Sequence, residues 1–441
     1  MKTVQLFKVS PSSLGSQNSL PSSTSLPLTF FDILWLRLPP VQRVFFYEFP
    51  NQPSLFYDTI LPKLKHSLSL ALTYYFPLAG ILNWPHDSNK PIITYNVGDT
   101  LSLIVAESDA DFNHLSGSDL CEASEVHHLV PELTISDDQA SVLALQVTLF
   151  PNHGFSIGIT SHHAVLDGKT STSFIKSWAY LCNKLGDSSS SPCDLPPELS
   201  PFLDREIVED PKGVEAKYLS DWLKQGGPNN RSLKVWNLQG PQDSIRGFLR
   251  KLVVSKKKET MNDLHLSSFV ISLAYAIVCK AKAEKVNTNR VFVGLNVDCR
   301  SRLDPPLPPT YFGNCIGGRL AVAETKGLLG EDGIVVAVQS LSNALETLKD
   351  GVLSGAENWS SLLHDGLHDG KFMSAAGTPR FEVYGNDFGW GKPKKVEMVS
   401  IDRTGAFCFS DSSNGDGVEI GLVSNKESMD TFASLFLQGL A

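Results

Sequence analysis

Long apolar runs, positive charge and paired cysteines are all scarce in this chain. Its 441 residues contain no uninterrupted apolar run of about 18 that would span a bilayer. The opening stretch, MKTVQLFKVSPSSLGS, lacks the apolar core of a signal peptide. Lys and Arg number 38 against 47 Asp and Glu, a formal charge of −9, so no global field exists to hold a nucleic-acid backbone or an anionic membrane. The seven cysteines (Cys121, Cys182, Cys193, Cys279, Cys299, Cys315, Cys408) are odd in number and scattered, which argues against both a disulfide framework and a zinc site. The expectation is a soluble cytosolic protein with reduced thiols, no nucleic-acid or membrane partner, and chance sequons at Asn230 and Asn358.

What the chain does have is a globular balance: 42% hydrophobic and 19% charged residues. At about 150 residues per domain the length predicts two large domains. Strands and helices alternate irregularly, so mixed α/β sheets are expected rather than a doubly wound parallel fold. ILPKLKHSLSLALTYYF spaces Ile60, Leu64, Leu68, Leu72 and Tyr75 at helical intervals. SVLALQVTLF, the turn residues Pro151 to Gly154, and FSIGIT read as a β-hairpin whose second strand alternates Phe155, Ile157, Ile159 with Ser156, Gly158, Thr160, so one face is expected to be buried. The segment from Gly186 to Gly213, dense in Ser, Pro and acid, reads as a crossover between domains. The second half offers strands at RKLVVS, RVFVGLNVD, KVEMVSI and GAFCFSD, helices through SSFVISLAYAIVCKAKA and IVVAVQSLSNALETL, and a terminal helix from Met429.

The hairpin feeds into ITSHHAVLDGKTSTSFIKSW, where Phe174, Ile175, Trp178, Leu181 and Cys182 mark one stripe of a helix that Thr170 or Ser171 can cap. His163 and Asp167 thus fall on a strand-to-helix loop, a common place for chemistry. An isolated histidine at a strand end is more often structural than catalytic. A metal site needs further ligands at suitable spacing, and HHxxxD offers no helical His pair and no nearby Cys or Glu. A serine-type triad needs an exposed nucleophile on a strained elbow, and no G-x-S-x-G elbow is expected in this chain. What remains is His163 as a general base, neutral at neutral pH from an ordinary pKa of about 6.5.

His163-Ala164-Val165-Leu166-Asp167-Gly168 together with Asp387-Phe388-Gly389-Trp390-Gly391 resembles the paired signatures of the plant BAHD acyltransferases, which transfer acyl groups from coenzyme A thioesters to alcohols or amines. LPLTFFDILWL, SLSLALTYYFPLAG, VDCRSRLDPPLPPTYFGN and TPRFEVYGNDFGWG look like further family blocks in their usual order. HHAVLDGKTSTSFIKSW, YFGNC and GTPRFEVYGNDFGWG look most like the branch that acylates sugar hydroxyls of phenolic and flavonoid glucosides, commonly with malonyl-CoA.

The resemblance implies a mixed α/β, chloramphenicol-acetyltransferase-like fold. Residues 1–185 form one domain with HxxxD, 186–213 the crossover, and 214–441 a second domain with DFGWG, with a channel between them. It implies a monomer with no permanent cofactor, taking malonyl-CoA and a phenolic glucoside as substrates, the 6-hydroxyl being the site of attack. His163 would take the hydroxyl proton and the oxygen would attack the thioester without an acyl-enzyme. Asp167 would turn away and pair with Arg300, Thr378 would lie where the oxyanion donor belongs, and Asp387 would be a structural motif residue. A malonyl carboxylate needs a cation, for which Arg43 is the first candidate and Lys169 the second. Coenzyme A phosphates need donors, for which Ser255, Lys256, Lys257 and Lys258, with Ser267 and Ser268 opening the next helix, are the candidates. The segment after Lys258 is shorter than is common in the family. Three other readings are open: a hydroxycinnamoyl-CoA-dependent transferase on similar glucosides, a non-catalytic glucoside-binding protein, and a metal hydrolase.

Overall fold

The computed structural model describes residues 1–12, 21–85, 87–118, 120–185, 194–225, 244–250, 267–362, 370–413, 415 and 417–439. Two large mixed sheets organise them. The first runs in the order Lys2–Val9, Leu101–Glu107, Leu143–Phe150, Gly154–Ser161, Val41–Glu48, Lys395–Met398. The second runs Ile316–Glu324, Arg290–Asp298, Lys371–Ala376, Phe407–Asp411, Val418–Asn425, Ser244–Arg250, Cys121–Glu122. Each contains parallel pairs among antiparallel ones, as between Leu101–Glu107 and Leu143–Phe150 or Arg290–Asp298 and Lys371–Ala376. Lys395–Met398 crosses to the first sheet and Cys121–Glu122 to the second, so the two halves of the chain exchange strands. No helix among the described residues is long and apolar enough to cross a membrane.

The expected hairpin is present with Pro151 to His153 as its turn, Asn152 taking the left-handed conformation (φ 65°). Both faces of its second strand are buried, however, not one. The polar face is covered by the segment near residue 130: Thr160 Oγ1 donates to the Pro131 carbonyl at 2.5 Å, and a Cβ at Gly158 would lie 1.9 Å from the Leu129 carbonyl oxygen. Alternation showed that the faces differ in polarity, but a polar face satisfied by a packed segment buries as readily as an apolar one.

Helix Leu61–Tyr74 buries Leu64, Leu68 and Leu72 against helix Gly168–Lys184, whose Phe174 and Trp178 fill the same core. Trp178 Nε1 donates to Ser67 Oγ at 3.0 Å, so even the buried indole has a partner. A second core gathers Leu273 and Ile277 of helix Ser268–Ala283, Val338 and Leu341 of helix Gly333–Glu346, and Phe432 and Phe436 of helix Lys426–Gln438. The terminal helix starts three residues before Met429 because Asn425 caps it, accepting from Ser428 N at 2.9 Å. Helix Val214–Gln225 was not expected, although Val214, Tyr218 and Trp222 recur at helical spacing and are buried. The strand expected at RKLVVS lies outside the described residues apart from Arg250, which ends strand Ser244–Arg250.

Candidate active site

Between the sheets lies a cavity of about 920 Å³, toward the upper end of small-molecule sites. Its wall draws Arg43, His163 and Ser171 from the first half of the chain and Ser267, Ser268, Asn296, Phe372 and Thr378 from the second. Strand Gly154–Ser161 delivers His162 and His163 at its end, and the two histidines part company there. His162 is fully buried, its Nδ1 accepting from Ala164 N at 3.3 Å, and burial, with His163 beside it, pushes its pKa down to about 3. His163 reaches the cavity wall, its ring stacked on the Trp35 indole at 4.5 Å between centroids and 7° between planes. Burial lowers its pKa to about 4, against a smaller upward pull from its own carbonyl and from Asp167. The ring is therefore neutral at neutral pH and has a lone pair available to a hydroxyl proton.

Asp167 does not face that ring. One oxygen, Oδ1, caps helix Gly168–Lys184 by accepting from Thr170 N at 2.8 Å. This replaces the expected Thr170 or Ser171 cap, because a carboxylate at the helix start meets both a free amide and the positive end of the helix dipole. The other, Oδ2, pairs with Arg300 at 2.8 Å and accepts from Cys315 N at 3.2 Å. Arg300 is itself buried, reaching Asp298 at 3.1 Å, Thr170 Oγ1 at 3.1 Å and the Gly313 carbonyl at 3.0 Å. Burial would lower the Arg300 pKa, but Asp167 and Asp298 hold it above its ordinary value. The pair closes the loop on itself and locks residues 162–167 to the segment 298–315.

The remaining candidates divide. Arg43 is buried in the cavity wall; its guanidinium donates to Thr172 Oγ1 at 3.1 Å, and among the described residues no carboxylate forms an ion pair with it. Burial lowers its pKa, with Cys408 and Asp411 acting weakly the other way. Lys169 lies outside the cavity wall and pairs with Asp298 at 3.2 Å. Thr378 lines the cavity, its hydroxyl accepting from Arg380 N at 3.4 Å. Ser267 caps helix Ser268–Ala283, accepting from Val270 N at 3.3 Å, and both Ser267 and Ser268 line the cavity. Ser255, Lys256, Lys257 and Lys258 lie outside the described residues.

Asp387 and its motif are absent from the cavity wall. Asp387 Oδ1 accepts from Gly389 N at 2.7 Å and Gly391 N at 3.0 Å, and both glycines sit at positive φ (101° and 99°), a turn that other residues resist. Phe388 packs edge-on against Trp178 at 4.9 Å and Tyr47 at 5.8 Å. The loop is a packing device that fastens residues 387–391 to the first core. One spelling of G-x-S-x-G also occurs, Gly154-Phe155-Ser156-Ile157-Gly158, but Ser156 is fully buried in mid-strand and presents no nucleophile.

Sequence reasoning assigned no site role to Trp35, Asp32, Asn314, Arg302, Arg319 or Arg380. Trp35 and the three arginines line the cavity; Arg319 is committed to the carbonyls of Gly318, Gly351 and Val352, whereas Arg302 and Arg380 are exposed. Trp35 and Asp32 lay within the LPLTFFDILWL block and Asn314 within YFGNC, which gave their places but not their partners.

A family model described as the Transferase family matches residues 12–437. Phenolic glucoside malonyltransferase 1 of Arabidopsis thaliana is 40% identical over 100% of this chain and 98% of its own length. The malonyl-CoA:anthocyanidin 5-O-glucoside-6''-O-malonyltransferase of the same plant is 43% identical over 96% of this chain and 97% of its own. The agmatine coumaroyltransferase of that plant is 38% identical over 99% and 98%. Among solved structures, vinorine synthase superposes with a TM-score of 0.73 at 20% identity, covering 99% of this chain and 98% of that one. With its cavity histidine, its aspartate–arginine lock and these relatives, the chain belongs to the plant BAHD acyltransferase family and is an acyl-CoA-dependent acyltransferase.

Proposed function

We propose that this enzyme transfers malonyl from malonyl-CoA to a sugar hydroxyl, the 6-hydroxyl, of a phenolic or flavonoid glucoside. The observation that carries the reading is the neutral His163 ring in the wall of the cavity, with Asp167 turned away onto Arg300. His163 takes the proton from the acceptor hydroxyl; the oxygen attacks the thioester carbonyl; the tetrahedral intermediate collapses to ester and thiolate, and the imidazolium returns its proton to sulfur. The leaving thiol has an ordinary pKa of about 8.5, so its departure needs little acid assistance. Thr378 is the candidate donor to the oxyanion. Arg43, a buried cation that no carboxylate among the described residues pairs with, is suited to the free malonyl carboxylate. Ser267 and Ser268 at their helix start suit the coenzyme A end. The relatives named as malonyltransferases on glucosides support the donor and acceptor class.

Cys182, Cys279, Cys299 and Cys315 are buried free thiols, which suits a cytosolic enzyme, and one chain furnishes both walls of the cavity, which suits a monomer. A hydroxycinnamoyl donor is the second reading, favoured by the coumaroyltransferase relative and by the apolar residues Leu38, Phe269 and Phe381 in the wall. Purified enzyme offered malonyl-CoA and coumaroyl-CoA with a panel of phenolic glucosides decides between them by product mass. The malonyl adduct is expected; consumption of the aromatic thioester alone overturns it.

A further inference from the structure

While the acyl group moves, the acceptor's proton sits on His163 and the neutral ring becomes an imidazolium. Burial lowers the pKa of that ring to about 4, so the cation is costly unless something offsets its charge. Among the described residues the nearby carboxylates are engaged elsewhere. On the ring's own loop Asp167 is spent on Thr170 N, Cys315 N and Arg300, and His162 is buried and neutral. On the segment 298–315 Asp298 faces Arg300 and Lys169. On helix Phe30–Ile33 the Oδ2 of Asp32 holds Arg205 at 2.8 Å. The other charged residues of the cavity wall are arginines: Arg43, Arg302, Arg319 and Arg380. What meets the ring instead is the face of Trp35, parallel to within 7° at 4.5 Å between centroids, inside the range of about 6 Å over which an aromatic face attracts a cation.

The two rings are held against each other by the backbone that carries them. Trp35 follows helix Phe30–Ile33, at whose start Asp32 Oδ2 accepts from Thr29 N and Thr29 Oγ1, each at 2.8 Å. Trp35 N donates to the Asp32 carbonyl at 3.0 Å, which fixes the turn. Asn314 then ties that turn to the histidine loop: its Nδ2 donates to the His163 carbonyl and to Asp32 Oδ1, each at 3.0 Å, and its main-chain N donates to the same Asp32 oxygen at 2.9 Å. One amide therefore sets the spacing between the loop bearing the imidazole and the turn bearing the indole. The indole N–H of Trp35, unlike that of Trp178, is buried with no hydrogen-bond partner among the described residues. This placement costs a hydrogen bond and keeps the ring face on His163.

We infer that Trp35 is a positioning residue: its indole face fixes the plane of the His163 ring and stabilises the imidazolium that forms as the ring takes the acceptor's proton. This rests on the reading of His163 as the base. The test is NMR of enzyme labelled with 13C in its histidine rings, titrated from about pH 7 to about pH 4.5, with the His163 signal identified by its absence in His163→Gln. At neutral pH the wild-type signal is expected upfield of the other histidines, moved there by the indole ring current. Trp35→Leu, which keeps an apolar wall, should abolish that displacement and lower the onset of His163 protonation by about one pH unit. It should also lower kcat about threefold to thirtyfold, with the KM for malonyl-CoA within about twofold, because the lost attraction exists only once the ring is charged. Trp35→Phe, a smaller face that gives up no hydrogen bond, should restore part of both effects. A His163 titration unchanged in Trp35→Leu overturns the inference whatever the rate does, as does a wild-type signal without the upfield displacement. Should Trp35→Leu fail to fold, Trp35→Phe decides, its protonation expected at lower pH than in the wild type and an identical titration overturning the inference. Full activity in His163→Ala would instead remove the base assignment, a separate failure that leaves the titration result standing.

Discussion

The His163 loop and the Asp387 loop make an instructive pair. Each has a motif aspartate, and DFGWG is the more distinctive spelling. Yet His163 lines the cavity, while residues 387–391 touch none of it and pack against Trp178 and Tyr47. Their aspartates differ as well: Asp167 is buried on a buried arginine, whereas Asp387 only closes a turn over two glycine amides. A distinctive spelling reports how demanding a backbone shape is, and a two-glycine turn wedged between aromatic rings is demanding without any chemistry. In the weaker spelling, HxxxD, His163 reaches the cavity wall and Asp167 is held on Arg300.

If that contrast is right, substitutions separate by mechanism. His163→Ala should lower kcat about a hundredfold to ten-thousandfold with the thermal midpoint nearly unchanged, the range for losing a general base; steady-state thiol release and a melting curve check both halves. Asp167→Ala should cost about 3–5 kcal/mol of stability, because buried Arg300 keeps only the half-exposed Asp298 as counter-charge and the helix from Gly168 loses its cap; denaturant unfolding measures it, and any activity loss should follow the unfolding. Arg43→Gln should lower kcat/KM for malonyl-CoA about tenfold to a hundredfold, the worth of a charge-assisted hydrogen bond, while acetyl-CoA is little affected. Asp387→Ala should cost about 1–3 kcal/mol, two amides losing their acceptor, with an unchanged KM for both substrates. A chemical role for Asp387 would appear as lost kcat in a fully folded variant, and would break the comparison.

A further effect is with pH. His162 and His163 have folded pKa values of about 3 and about 4, below the unfolded value near 6.5. As pH falls below about 6.5 the unfolded chain takes up protons that the folded one refuses, so stability declines toward pH 4. His162→Asn should flatten that decline in melting midpoints between pH 7 and 4.5. Activity should follow the other histidine, with kcat/KM level above about pH 5 and falling as His163 is protonated.

Much of this was readable in the sequence. Periodicity gave the helix from Leu61, the strand Arg290–Asp298 and the hairpin, since each has an apolar face at a fixed interval. The positions of His163, Arg43, Thr378, Ser267 and Ser268 in one cavity wall could be expected only through the resemblance, because they come from segments far apart in sequence and no local pattern encodes that meeting. Lys169 shows the converse: a cation beside the motif was a reasonable candidate, but Asp298, more than a hundred residues later, holds it outside the wall. The stacking of Trp35 on His163 and the Asp32–Asn314 tie were not legible, since both are tertiary contacts between side chains with no shared periodicity.

The central claim is that His163 passes the acceptor's proton on while the acyl group moves directly from sulfur to oxygen. Rapid mixing of enzyme with malonyl-CoA, first without and then with a phenolic glucoside, tests it most directly. Thiol release is predicted only when the glucoside is present, with no malonyl left on the protein by mass. One equivalent of thiol released without acceptor, with malonyl attached to the chain, would contradict the account.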